Sequence, residues 1–206
     1  MKKIYASEWA EWEKQRRSNF FNSLSGFKSV NLIGTMPAAY APTNLAVFSN
    51  IVHVGASPAL IGFINRPRAA GGHTLSNIEK NPFYTLNLVT SNLVGAAHQT
   101  SAKYAEGESE FEKTGLNAEW HDQFLAPFVK ESQIKYGLKL EQIIPIALNG
   151  TFLVIGSVQL VILPADLLQT DGFLPLEKAE TLASLGNDAY YKTTLLERLP
   201  YAKAKK

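Results

Sequence analysis

The chain has 206 residues, 46% hydrophobic and 18% charged, with a net charge of +2 at neutral pH. That length can bury one sizeable core, since a domain takes roughly 100–200 residues, and so small a charge gives no grip on nucleic acid or an anionic membrane. The absence of cysteine excludes disulfides, thiol catalysis and cysteine-ligated clusters.

Residues 1–17 contain no apolar stretch of the kind a signal peptide needs. No apolar run approaches the ~20 residues that span a bilayer. A cytoplasmic address is the expectation, and the basic end (Lys203, Lys205, Lys206) reads as a solvated tail.

Taken in chain order, residues 8–21 predict a helix with Ser7 as its cap and Glu8 and Glu11 near its positive end. Trp9, Trp12 and Phe20 make an apolar stripe suited to docking or to a subunit interface. Residues 28–35 read as a strand with Val30 and Leu32 on one face. After a loop at 37–42 a strand runs through Ile51, and residues 58–64 form a short buried strand. The stretch 66–72 is a loop with Pro67, Gly71 and Gly72. Thr74 caps a short helix over 75–80, which Asn81 and Pro82 stop. Residues 83–89 alternate, with Phe83, Thr85, Asn87 and Val89 on one face. Asn87 is unusual there, because a buried mid-strand amide must find partners. A helix is predicted over 93–101. Strands over 134–148 and 151–163 flank Asn149 and Gly150, a two-residue hairpin signal. Asp171 and Gly172 mark a further turn. Several strands with few short helices point to a mainly β, closed or nearly closed barrel with helical additions.

Common catalytic constellations are missing. His53, His73, His98 and His121 are not paired at helical spacing, and no zinc-protease, nucleophile-elbow, P-loop or dinucleotide-binding motif occurs. Glu106, Glu108, Glu110 and Glu112 read as a solvated acidic loop. What remains is a string of amide, hydroxyl, His and Arg residues between 43 and 104. A phosphorylated, hydrogen-bonding ring needs apolar walls, N–H donors along its polar edge and an anion site. Asn44, Ser49 and the backbone around Ala46 can donate, and Phe48 and Phe63 can wall the ring. Arg66, Arg68 and the helix start at Thr74 can hold the phosphate. His98, Thr100 and Ser101 form a second polar cluster at a helix end. Each also has a plainer use: Asn44 as a turn residue, the phenylalanines as core, Arg66 as a loop charge, Thr74 as a cap, and His53 bonded to a backbone carbonyl.

From Ser25 to Tyr191 the chain resembles the flavin reductase-like proteins of the FMN-binding split barrel, especially the flavoredoxin-like branch. The resembling residues come in order. They are Asn31 to Thr35; Thr43, Asn44, Leu45, Ala46, Val47, Phe48 and Ser49; Pro58 to Phe63; Arg66 and Pro67; and His73 to Ile78. Then follow His98 to Ala102, Asn149 to Thr151 before Val154 to Gly156, and Asp171 and Gly172 before Tyr190 and Tyr191. Ala59 departs from the pattern, standing where a second proline is common.

The resemblance implies one domain over 1–206: an N-terminal helix at about 8–21, a six-stranded, Greek-key-like split β-barrel at about 25–165 with peripheral short helices, and an extension over 166–206. It implies a homodimer with FMN near the interface. Thr43, Asn44, Leu45, Ala46, Phe48 and Ser49 would lie along the ring. Phe63, Arg66, Thr74, Asn77, His98, Thr100 and Ser101 would lie near the ribityl chain and phosphate. His53 or His98 would line the nicotinamide side. No metal is expected. The leading expectation is an NAD(P)H-dependent flavin reductase, in which hydride passes from NADH or NADPH to flavin N5 and the flavin carries the chemistry. The alternative is an FMN electron-transfer protein serving a flavin-dependent or redox protein partner. Oxidation of a phosphorylated amine on a related barrel comes third, for want of an extra basic pocket.

Overall fold

The computed structural model describes residues 1–70, 72–105, 107–121 and 124–204. Its elements, in order, are α1 (Ala6–Ala10), α2 (Lys14–Leu24), β1 (Lys28–Ser29), β2 (Asn31–Thr35), β3 (Asn44–Phe48), β4 (Ile51–Ala56) and β5 (Ala59–Asn65). Then come α3 (Thr74–Lys80), β6 (Phe83–Leu88), α4 (Val94–Gln99), α5 (Glu110–Thr114), β7 (Ala118–Glu119) and β8 (Phe128–Val129). The chain ends with β9 (Lys135–Ile146), β10 (Thr151–Ile162), β11 (Leu182–Leu185) and β12 (Ala189–Lys192).

Seven antiparallel strands form the main sheet in the order β3-β2-β6-β9-β10-β5-β4. This corrects the expected six strands. The two edge strands, β3 and β4, are consecutive in the chain and joined through Ser49 and Asn50, so the sheet curls until its edges meet at that corner. The corner is held where the Ile64 N–H donates to Asn50 O at 3.0 Å. Among the described residues no ladder joins β3 to β4, so the barrel stays open along this seam.

Alternation along β2 builds a core on each side. Leu32 packs with Val30, Leu45, Val89, Leu93 and Phe111 beneath α4 and α5. Ile33 packs with Phe63, Ile78, Tyr84, Leu86 and Val154 inside the curl. Asn87, the odd residue of β6, is fully satisfied. Its Nδ2 donates to Leu32 O at 3.0 Å and Thr85 Oγ1 at 2.9 Å, and its Oδ1 accepts the Val129 N–H at 2.9 Å.

Two other expectations need correction. The predicted N-terminal helix is two helices, started by Tyr5 rather than Ser7. The Tyr5 N–H donates to Glu8 Oε1 at 3.1 Å, and Arg17 Nη1 donates to the carbonyls of Ala10 and Trp12 at the end of α1. Trp9 and Trp12 close edge-to-face on Phe21 and Phe20, so the stripe packs on its own helices, which bury no residue. The β9–β10 connection is a four-residue loop over 147–150, because Ile146 registers with Thr151. Gly150, at φ 72°, still supplies the left-handed turn residue. After residue 166 the chain adds β11 and β12, with β11 paired to both β1 and β12. The turn expected at Asp171 and Gly172 is present, with the Gly172 N–H on Gln169 O at 2.9 Å.

Candidate functional site

A cavity of about 600 Å³ opens along the free edge of β3. Its other walls are the end of β5 with Arg66, the loop entering α3 with His73 and Thr74, the residues after α4, Glu110, and the β11–β12 turn. That volume lies in the range of small-molecule sites, roughly 300–1,000 Å³.

The strand edge gives the cavity its polarity. β3 pairs only with β2, so one row of its backbone groups has no strand partner. Leu45 sends its N–H to Glu110 Oε2 at 2.8 Å, away from β2. Backbone groups alternate in an antiparallel strand, so Val47 points its N–H the same way and Ala46 turns towards β2. The donors open to the cavity are therefore centred on Val47 rather than Ala46. Asn44 is held by a buried network: its Nδ2 donates to Thr35 Oγ1 at 3.3 Å and Thr74 Oγ1 at 3.2 Å, while Asn77 Nδ2 donates to the same Thr35 oxygen at 3.2 Å. Both Asn44 amide protons are used, so it presents Oδ1, an acceptor, to the cavity rather than the expected donor.

The structure brings Asn44, Ala46, Phe48, Ser49, Arg66, Thr74, Thr100 and Ser101 to the cavity wall. Phe63 is almost wholly buried, standing behind Phe48 at a centroid distance of 5.1 Å, and Leu45 is core. Asn77 is buried in the amide–threonine network, and Thr43 lies outside the wall, its Oγ1 2.7 Å from Ser109 Oγ. His98 is exposed and holds a wall residue instead, its Nδ1 2.8 Å from the Tyr190 hydroxyl. His53 lies exposed on β4, away from the cavity and not buried against a carbonyl.

Thr100 Oγ1 and Ser101 Oγ donate to Ala97 O and His98 O, both at 2.7 Å. Their protons are spent at a helix C-terminus, whose partial negative charge does not favour an anion. Arg68 forms an ion pair with Glu79 through both Nη atoms and does not line the cavity. Among the described residues Arg66 makes no ion pair, which leaves it as the cavity's arginine. Thr74 is the first residue of α3, with His73 at the cap position.

Several wall residues were not among the expected site residues: His73, Lys103, Ser184, Asn187, Tyr190 and Glu110. The expected acidic loop divides. Glu108 is exposed and paired with Lys113, Glu112 is exposed, Glu106 lies outside the described residues, and Glu110 is only 8% exposed. Burial pushes the Glu110 carboxyl above the ordinary range, offset by the bond from Leu45, by its own backbone N–H and by His73. Ser184 Oγ is buried without a hydrogen-bond partner, an orphan that a ligand or water can satisfy. The described residues contain no His, Asp or Glu cluster able to hold a metal.

The flavin reductase like domain family matches residues 27–178. The chain belongs to that family. It is similar over 98% of its length to the whole of a candidate flavin reductase with a split barrel domain from Shewanella frigidimarina, at 45% identity and a TM-score of 0.94. The fold also matches component B of nitrilotriacetate monooxygenase from Bacillus cereus, at 22% identity and a TM-score of 0.84, covering 97% of this chain and 98% of that one. Flavoredoxin of Desulfovibrio vulgaris matches over the full length of both chains at 18% identity and a TM-score of 0.76. The architecture is thus mainly β, with the split barrel fold of this family. None of the described helices is long and apolar enough to cross a membrane.

Proposed function

We propose that the protein is an FMN-binding oxidoreductase, an NAD(P)H-dependent flavin reductase working as a homodimer with FMN near the interface. The observation that carries this reading is the cavity along the free edge of β3. One wall offers backbone N–H and amide groups in a row, Phe48 supplies an apolar face, and Arg66, in no ion pair among the described residues, stands at another wall.

The residues present fit the cofactor. Val47 N–H and the Ser49 region would donate to the polar edge of the ring. Arg66, with Lys103 and the Thr74 hydroxyl on the same cavity, would hold the phosphate. Bound FMN supplies the hydride-accepting ring, so the chain needs no acid or base of its own. Its residues orient the ring and hold its polar edge against a strand-lined wall. His73 and Tyr190, the latter fixed by His98, border the remaining space where a nicotinamide nucleotide would enter.

The test is an absorption spectrum after soaking in FMN and desalting, repeated anaerobically with NADH and then NADPH. Retained flavin bands that bleach within the mixing time are the expected result. Retained bands that stay oxidised would instead favour an electron-transfer protein served by a redox partner. Absence of retained flavin together with absence of NAD(P)H oxidation in excess FMN would refute the reading.

A further inference from the structure

Glu110 does more at the cavity wall than its fold contacts require. It opens α5, a helix fixed against β3 by two links: Glu110 Oε2 accepts the Leu45 N–H at 2.8 Å, and Ser109 Oγ lies 2.7 Å from Thr43 Oγ1. One carboxylate oxygen meets the structural need. Apart from the carboxylate's contact with its own backbone N–H, the other oxygen, Oε1, has no hydrogen-bond partner on another described residue, and Glu110 lines the cavity. A buried acid is an expensive acceptor for one backbone N–H, since an amide could do the same without desolvating a charge. His73, at the cap position of α3, lies on the same cavity.

Oxidised flavin has a single ring N–H, on the pyrimidine edge between two carbonyls. An acceptor beside a backbone donor row is the complement of that edge. We propose that Glu110 is an electrostatic reading residue for the flavin ring, its free Oε1 accepting the ring N–H while its charge opposes the negative charge the ring gains on reduction. This inference rests on the FMN reading above. Glu110 thereby keeps the bound flavin a stronger reductant than it would otherwise be.

Two measurements test this on the full-length protein. The first uses the wild type alone, comparing retention of FMN with that of its N3-methyl analogue, which lacks the ring N–H. Affinity for the analogue is expected to fall on the order of tenfold, as for loss of a hydrogen bond to a charged group. The second compares the FMN midpoint potential of the wild type and Glu110→Gln by anaerobic dye-referenced titration. Gln retains a carbonyl oxygen for the Leu45 N–H but removes the charge. Reduced FMN should then bind about tenfold tighter relative to oxidised FMN, a rise of about 30 mV for a two-electron couple.

A merely structural Glu110 would leave the potential unmoved. Equal affinity for the two flavins, or an unchanged potential in a folded, FMN-loaded Glu110→Gln protein, would overturn the inference while leaving the FMN reading intact. Failure of the wild type to bind FMN at all would overturn both.

Discussion

Arg66 and Arg68 stand two positions apart, and the sequence offers them equally as an anion site. The structure separates them by what they touch. Arg68 is engaged with Glu79 and lies over the Phe152 ring at 5.1 Å, whereas Arg66 lines the cavity with no acidic partner among the described residues. Arg66→Ala should therefore weaken FMN by about 1.5 kcal/mol, the low end for a charged hydrogen bond because the guanidinium is exposed. Riboflavin, lacking the phosphate, should be almost unaffected. Paired fluorescence-quenching titrations check this, and equal losses for both ligands would remove Arg66 from the phosphate role. The residue scale is also where sequence reading was weakest. Residue type marked Asn87 as unusual in a strand and left Asn44 either a ring donor or a turn residue. Only tertiary contacts show Asn87 satisfied inside the sheet and Asn44 facing the cavity. Glu110 was hidden among acidic neighbours for the same reason, because burial is set by α5 packing on β3 and not by local composition.

Elements with a local signal were the legible ones. Alternation gave β6, and Asn149 with Gly150 marked the β9–β10 hairpin, although the number of loop residues depends on register and was misjudged. The β1–β11 pairing joins residues more than 150 positions apart and leaves no periodic trace. A second long-range constraint is also invisible locally: the loop before β8 presses on the sheet at its glycines. A Cβ on Gly34 of β2 would lie 2.2 Å from Pro127 O and 2.6 Å from Thr85 Oγ1, two atoms hydrogen-bonded to each other at 2.6 Å. A Cβ on Gly137 of β9 would instead meet the outer ring atoms of Phe124 at 2.5 Å. Backbone cannot step aside as a ring end can. Gly34→Ala should cost roughly 3 kcal/mol and Gly137→Ala nearer 1 kcal/mol, the span of overpacked cores. Urea denaturation of the two variants gives the order directly, and a Gly137 variant less stable than the Gly34 variant would contradict it.

At the scale of the whole molecule the main sheet has one long hairpin and one open edge. β9 and β10 each run 12 residues, but β6 pairs only with Lys135 to Lys139 of β9. Beyond that point β9 is flanked by β10 alone, and the β10-β5-β4 ribbon keeps one face in the core through Phe63 and Val154. Its outer strand β4 is an unpaired edge that exposes Val52 at 44% and Val54 at 43%, with Ile144 exposed on β9. An exposed apolar edge of this kind is an aggregation hazard unless a partner covers it. The homodimer of the proposed function would cover it, and the corner at Ser49 and Asn50 ties this ribbon to the cavity wall. Replacing Val52 and Val54 together with lysine should leave each chain folded, because both side chains are already exposed, yet shift sedimentation from twice the chain mass to the chain mass. If the second copy completes the FMN site, the resulting monomer should also emerge from desalting without flavin. A double variant that remains dimeric would place the interface elsewhere, and a monomer that keeps its FMN would place the whole site within one chain.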